Sequence, residues 1–389
     1  MPVERIVTDE ANSESWSRQT LTYDDQGRLM QRAVAMDDGS SHVTRTDRGD
    51  THDWRTLGVS YDATGARTGL TFRKDGNEWE TSIRYDAAGS EDWSKITVSK
   101  EGPSFHGMAR YEVRAVDYDD GSRTVTRSDL LDAEDWRSTT TTYDAAGTRI
   151  SAETVQDDGS RVVNHYDAAG AEVWDKQSLS FDALGRLTLK ATDFDDGGRS
   201  VARFDAAGTE AWTQVVTKYD ASGRVARQIT EEDSGKATEI LRDAAGTEAW
   251  SKLTVASADG AVTQRSLDFD LGGKAVVQYD AADAASWTAQ GRFYMADGNL
   301  AYAFRLDDDV AKPVENYGKA AWTHVTATHR AADLGNGVTL ILDYDRDDTA
   351  DWRVYAKLTD AAGERFYGAS IMDDGSLREL FPAPLDWLI

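Results

Sequence analysis

The sequence has no cysteine and only five prolines in 389 residues. Without cysteine there are no disulfides and no thiolate metal sites, although the compartment stays open, because cytosolic proteins and many secreted repeat proteins both avoid the residue. No apolar run approaches the roughly 20 residues of a membrane-spanning helix. The opening MPVERIVTDE also lacks the basic start and apolar stretch of a signal peptide. Aliphatic residues are scarce: Leu, Val, Ile and Phe together make about 18% of the chain, which ordinarily marks disorder when combined with high net charge. Basic residues are in deficit, 43 against 69 acidic, for a formal net charge of −26. Nucleic acid and anionic membrane surfaces are polyanions and would be repelled. A divalent cation or a basic partner fits this balance better.

Aromatic residues are abundant, with twelve Trp and fifteen Tyr, and they recur on a period. Trp16, Trp54, Trp93, Trp136, Trp174, Trp212, Trp250, Trp287, Trp322, Trp352 and Trp387 stand 38, 39, 43, 38, 38, 38, 37, 35, 30 and 35 residues apart. A unit of about 38 residues is therefore repeated some ten times, and aromatics take the place of aliphatics as buried material. Seven residues before the tryptophan stands an acid: Asp9, Asp47, Asp86, Asp129, Asp167, Asp205, Asp243, Asp280, Glu315 or Asp345. Four before it stands Asn12, Asp50, Gly89, Asp132, Gly170, Gly208, Gly246, Asp283, Gly318 or Asp348. Gly, Asn and Asp are the residues that tolerate positive φ, so this column predicts one left-handed turn position.

Two further turns complete the unit. One is Tyr/Phe-Asp followed by glycine, as at Tyr23-Asp24 with Gly27 and Phe181-Asp182 with Gly185; the other is Asp-Gly, as at Asp38-Gly39 and Asp158-Gly159. Segments of six to eight residues rich in Thr, Val, Arg and aromatics lie between them, so each unit reads as three short strands. In Trp212–Tyr219 strict alternation puts Trp212, Gln214, Val216 and Lys218 on one face and Thr213, Val215, Thr217 and Tyr219 on the other. Neither set is apolar, which predicts a sheet partly solvated on both faces. The expected fold is all-β, an antiparallel meander or spiral sheet of tandem repeats with almost no helix. A β-solenoid is the alternative, since three strands and three corners would also make a coil. Residues 1–293 form the array, and residues 294–389 read as degenerate capping repeats with a C-terminal tail, because terminal repeats must close an open edge. The stretch Glu101–Val113, EGPSFHGMARYEV, reads as a protruding loop.

The stretch YDAAGTRISAETVQDDGSRVVNHYD, Tyr143 to Asp167, resembles the tyrosine-aspartate repeats of bacterial Rhs proteins, Tc-toxin shells and teneurins. The resemblance covers roughly residues 16 to 280. It implies β-hairpins wound side by side into a spiralling sheet that encloses a cavity. This sequence departs from that pattern in its third, tryptophan-bearing strand, which makes the interval between YD signals alternate between 23 and 15 residues. The plug and the proline-rich cleavage region of the toxin shells are not evident.

Catalysis finds little support. The histidines His42, His52, His106, His165, His324 and His329 are scattered, and no nucleophile elbow, phosphate loop or zinc spacing appears. Carboxylates are plentiful but follow the repeat, and repetition makes acids alike where an acid/base pair must differ. The strongest local motif is DYDRDDTADW, in which Asp343, Asp345, Asp347 and Asp351 occupy positions 1, 3, 5 and 9 of a calcium loop, so Ca2+ is the one cofactor expected. Position 6 is Asp348 rather than glycine, and position 12 is Val354 rather than glutamate. Arg48-Gly49-Asp50 falls on repeat columns and reads as drift within a turn. Glu91, Glu134, Glu172, Glu210 and Glu248 are expected to face basic strands, with Arg28, Arg149, Arg186 and Arg224 as partners. Trp212 is expected to be buried.

These features point to a nonenzymatic, secreted bacterial repeat protein, extracellular or at the cell surface, serving as a structural or adhesive component of a surface, matrix or fibre. Its expected partners are further copies of itself or surface glycans, with no nucleic acid and no membrane insertion. A glycan-binding module, with sugars stacked on exposed tryptophans, is the second reading. A shell segment of a polymorphic toxin, which the resemblance implies, is the third.

Overall fold

The computed structural model describes residues 2–75, 79–101, 109–308, 313–323, 325–335 and 337–380. Among them are 31 strands and no helix. Each described pairing is antiparallel and joins strands consecutive in sequence. The meander is therefore the fold, and the solenoid alternative, whose coils would stack non-consecutive strands, is excluded. Tryptophan opens ten of the strands, from Trp16–Tyr23 to Trp352–Thr359. The chain divides into two compact units, Met1–Thr192 and Asp193–Ile389.

The repeat's aspartates build its turns. In nine of the turns before a tryptophan, the aspartate carboxylate accepts the backbone N–H five residues on: Glu14 to Asp9 at 2.7 Å, Glu91 to Asp86 at 2.8 Å, Glu172 to Asp167 at 2.8 Å and Glu210 to Asp205 at 2.9 Å. Asp47, Asp129, Asp243, Asp280 and Asp345 do the same. The fourth residue of the turn is left-handed at Asn12, Asp50, Gly89, Asp132, Gly170, Gly208, Gly246, Asp283 and Asp348, with φ between 49° and 67°. Gly318 departs from the expected column. Its φ is not positive, and it is glycine because a Cβ there would lie 2.0 Å from the carbonyl oxygen of Leu300.

The YD turn is held in the same way. Asp220 Oδ1 accepts the N–H groups of Ser222 and Arg224, each at 2.9 Å, while its Oδ2 takes the Arg224 guanidinium. Arg28 and Arg186 likewise pair within their own turns, with Asp24 and Asp182, and Arg149 lies over the Tyr166 ring at 4.1 Å. These arginines do not serve the DAAGxExW glutamates as expected. The local aspartate is nearer and already ordered, so it captures the arginine first.

Strict alternation fails just after the tryptophan in eight of the tryptophan strands. In Trp212–Tyr219, Trp212 faces Glu232 and Gln214 faces Glu231, so Thr213 is the extra residue of a β-bulge. Removing one residue from the count brings Trp212, Val215, Thr217 and Tyr219 to one face and leaves Gln214, Val216 and Lys218 on the other. This corrects the strict period-2 assignment. The same bulge follows Trp16, Trp54, Trp93 and Trp136.

Register then explains why neither face becomes a core in the first unit. Trp16 shares a face with Gln19, and the cross-strand row runs Gln19, Val34, His42, Ser60. Ser60 stands on the face opposite Trp54, Leu57, Val59 and Tyr61. Continuing through Gly69 and Arg84 to Ile96 returns Trp93 to the face of Trp16. Three strands is an odd number, so each unit runs opposite to the last and presents its aromatics on the other side. Six strands, or two units, make the true translational repeat. Both faces carry the same half-buried mixture, and only a few positions such as Ile96, Tyr111 and Ala115 are buried in this unit.

The second unit differs because one face is covered. Its first sheet runs from Arg199–Phe204 to Val314–Tyr317, and a second sheet runs from Trp322–Thr323 to Leu377–Leu380. The segment read as capping repeats thus supplies the last strands of the first sheet and all of the second. The row Leu241, Leu253, Leu267, Ala275, Phe293, Tyr302 is buried throughout. It packs in one hydrophobic cluster with Leu340, Leu342, Leu358, Tyr367 and Ile371 of the second sheet. The backbone N–H of Ala296 donates to the Leu334 carbonyl at 2.9 Å, tying turns of the two sheets together.

Candidate functional site

The four aspartates of the expected calcium loop have separate engagements. Asp343 lies on the strand Thr339–Tyr344, where its Oδ1 is 2.6 Å from His329 Nδ1 and its Oδ2 is 2.7 Å from Lys357 Nζ. Asp345 is the turn aspartate of its unit, accepting from the Thr349 hydroxyl and the Ala350 N–H. Asp347 and Asp351 sit in the turn between Asp345 and Trp352, and the Asp351 carbonyl accepts the N–H of Asp373. Among the described residues no group of three or more His, Asp or Glu side chains is placed to hold a metal ion. His106, His324, Asp309 and Trp387 lie outside the described residues, as does most of the loop expected at Glu101–Val113. Asp50 of Arg48-Gly49-Asp50 is the left-handed residue of its turn.

Tryptophans of the open faces are half-buried rather than fully exposed or enclosed. Trp212 is among them, against the expectation that it is buried. Neighbouring side chains cover several rings: Arg84 lies over Trp93 at 5.5 Å, Tyr111 stacks on Trp136 at 6.0 Å and His52 stacks on Trp54 at 4.8 Å. Arginines cover tyrosine and phenylalanine rings in the same manner, with Arg67 over Tyr85 at 4.4 Å and Arg161 over Phe181 at 4.1 Å. These contacts shield apolar area that an open sheet would otherwise present to water.

Trp250 differs from its counterparts. It is 4% exposed, and its indole Nε1 is buried with no hydrogen-bond acceptor. The tryptophan borders a groove of about 530 Å3 whose walls include Phe194, Tyr219, Lys218, Arg242 and Glu248. Three neighbouring turns of the second unit bring these residues together. Arg199, directly opposite Tyr219 in the register, points to Asp193 at 3.6 Å instead of lying over the ring as Arg161 lies over Phe181. The half-buried Tyr219 ring therefore borders the groove without the Arg199 guanidinium over it.

Two carboxylates of the second unit accept tyrosine hydroxyls, and the Glu379 side chain is buried. Glu379 accepts from Arg265 and from the hydroxyls of Tyr279 and Tyr367. Burial raises its pKa above the ordinary value, against the pull of Arg265. Glu315 accepts from Tyr302 at 2.7 Å and Tyr344 at 3.0 Å. Burial, and then the Glu315 charge, pushes the Tyr302 hydroxyl well above its usual value. Sequence reasoning placed Glu315 only in the turn column and singled out neither Glu379 nor the groove. A signal existed, because Arg265 alternates with Leu267 and Phe269, and Glu379 with Leu377, placing a charge on each apolar face.

No family model matches the sequence, and no curated protein matches it. Among solved structures, the chain is similar at 11% identity and a TM-score of 0.11 to the crystal structure of TcdB2-TccC3-Cdc42, over all of this chain and 28% of that one. It is similar at the same identity and TM-score to apo AztD from Citrobacter koseri, over 85% of this chain and 92% of that one. The chain therefore spans little more than a quarter of the first of these. Likenesses of this size carry no argument about function. The all-β repeat architecture stands on the chain's own geometry.

Proposed function

We propose that the protein is a nonenzymatic structural or adhesive repeat protein, exported by a bacterium and acting at the cell surface or in a matrix or fibre. One observation carries the reading. At nine of the repeat turns, eight of them successive, the aspartate carboxylate is spent on its own backbone, with the same bond to the fifth residue onward. A group fixed alike nine times contributes regularity, whereas acid/base chemistry needs two carboxylates in unlike surroundings. Stability then grows with the number of rungs, since each cross-strand pair adds only about 0.2–1 kcal/mol. Among the described residues no helix is long and apolar enough to cross a membrane.

The test is location. The tagged full chain, expressed in its source bacterium, is expected in the medium or on the cell surface, where protease added to intact cells removes it. Retention inside intact, protease-treated cells refutes the reading.

A further inference from the structure

We propose that the groove beside Trp250 binds a neutral saccharide, an inference that goes beyond the scaffold reading and does not depend on it. Its volume of about 530 Å3 lies within the range of small-ligand pockets, roughly 300–1,000 Å3. Much of the charge around it is already committed. Arg227 pairs with Glu239 and Arg199 with Asp193; Asp196 accepts from Gly198, and Asp243 from Gly246 and Glu248. Among the described residues, that leaves the side chains of Lys218, Arg242 and Glu248 without a partner on the groove wall.

Those three groups, with the aromatic wall, select the ligand. An anion would meet Glu248 and Asp243, a cation would meet Lys218 and Arg242, and a wholly apolar molecule would leave all of them desolvated and unpaired. A pyranose ring fits the set. Its hydroxyls accept from Lys218 and Arg242 and donate to Glu248, while its C–H face lies on the Tyr219 ring beside Phe194. Trp250 closes the inner wall of the groove, with its Nε1–H buried behind that wall. The covered ring of Phe181 marks the contrast, since Arg161 lies over it and Arg199 does not lie over Tyr219.

The full chain is titrated calorimetrically with cellohexaose, chitohexaose, maltohexaose and the acidic hexagalacturonate. At least one neutral hexasaccharide is expected to bind with a Kd of about 1 mM or tighter. Binding should weaken about tenfold or more in Tyr219→Ala and in the doubly substituted Lys218→Ala/Arg242→Ala, and stay unchanged in Phe181→Ala. Lys218 and Arg242 are exposed, so the double variant keeps the test valid if Tyr219→Ala fails to fold. Absence of binding by all three neutral sugars overturns the proposal. So does binding that survives both groove variants, and so does binding of hexagalacturonate alone.

Discussion

Trp212 and Trp250 close the same eight-residue phrase, DAAGTEAW, yet they should respond very differently to truncation. Both belong to the second unit, so one unfolding transition reports both. Trp250 is 4% exposed, lies in the hydrophobic cluster with Leu253 and Phe269, and has the second sheet over its face. Replacing a fully buried tryptophan by alanine costs about 3–5 kcal/mol, the sum of lost transfer energy and the cavity left behind. Trp212 is half-buried on an uncovered face. Most, but not all, of its transfer energy is at stake, and water fills the space vacated, which removes the cavity contribution. Its loss should therefore be about 1.5–2.5 kcal/mol. Urea denaturation followed by far-ultraviolet circular dichroism reads both values, provided the slope with denaturant is unchanged between variants. Equal losses for Trp212→Ala and Trp250→Ala would refute the claim that the second sheet, and not the repeat, sets the burial of the tryptophan.

The left-handed turn column gives a second outcome. Gly208 has φ +67° and open space where a Cβ would go, so Gly208→Val should cost about 1–2 kcal/mol through backbone strain alone. Gly208→Asn should cost far less, measured in the same urea titration, as Asn12 occupies the equivalent position. Acid should unfold the array. Asp220 is held at about 2 by the Ser222 hydroxyl and then the Arg224 N–H, and the Glu210 N–H holds Asp205 below the ordinary 3.8. Depressed pKa values give stability that is present above the ordinary value and lost as pH falls through the folded ones, so the circular dichroism signal should decline between about pH 4 and 2. Asp157, raised by burial and by Asp132, Asp129 and Asp135, works in the opposite direction. Asp345→Ala should lower the melting temperature equally with millimolar calcium and with chelator, because the carboxylate holds its own turn; a loss seen only with calcium would instead establish a cation site at Asp343, Asp345, Asp347 and Asp351.

The strands and turns were legible from sequence because their causes are local. An aspartate five residues before a backbone N–H, and Gly, Asn or Asp where φ must be positive, fix a turn whatever lies around it. That is why nine of the ten expected left-handed positions are left-handed. Gly318 broke the column because its neighbour in space, the Leu300 carbonyl, left room for nothing larger. The bulge after eight of the tryptophans escaped a period-2 reading because an extra residue shows only against a partner strand. Partners for Arg28, Arg186 and Arg224 were misassigned to another strand for want of the turn geometry that brings their own aspartates within reach.

By itself, then, the sequence determined the three-strand unit and its three turns, which follow from contacts within some 40 residues, while the strand pairings of the structure decided for the antiparallel meander over the solenoid. Only the tertiary structure decided which aromatics are buried. An odd number of strands turns each unit over, so identical phrases face opposite sides, and the fate of a ring depends on what covers that side. In the first unit arginine, histidine and tyrosine side chains lie over several of the rings, and the rings stay half-buried. In the second, apolar strands distant in sequence fold back over Leu253, Phe293 and Tyr302, making a core and burying Trp250. Glu379 and Arg265, 114 residues apart, meet only because that sheet returns, which no local pattern encodes.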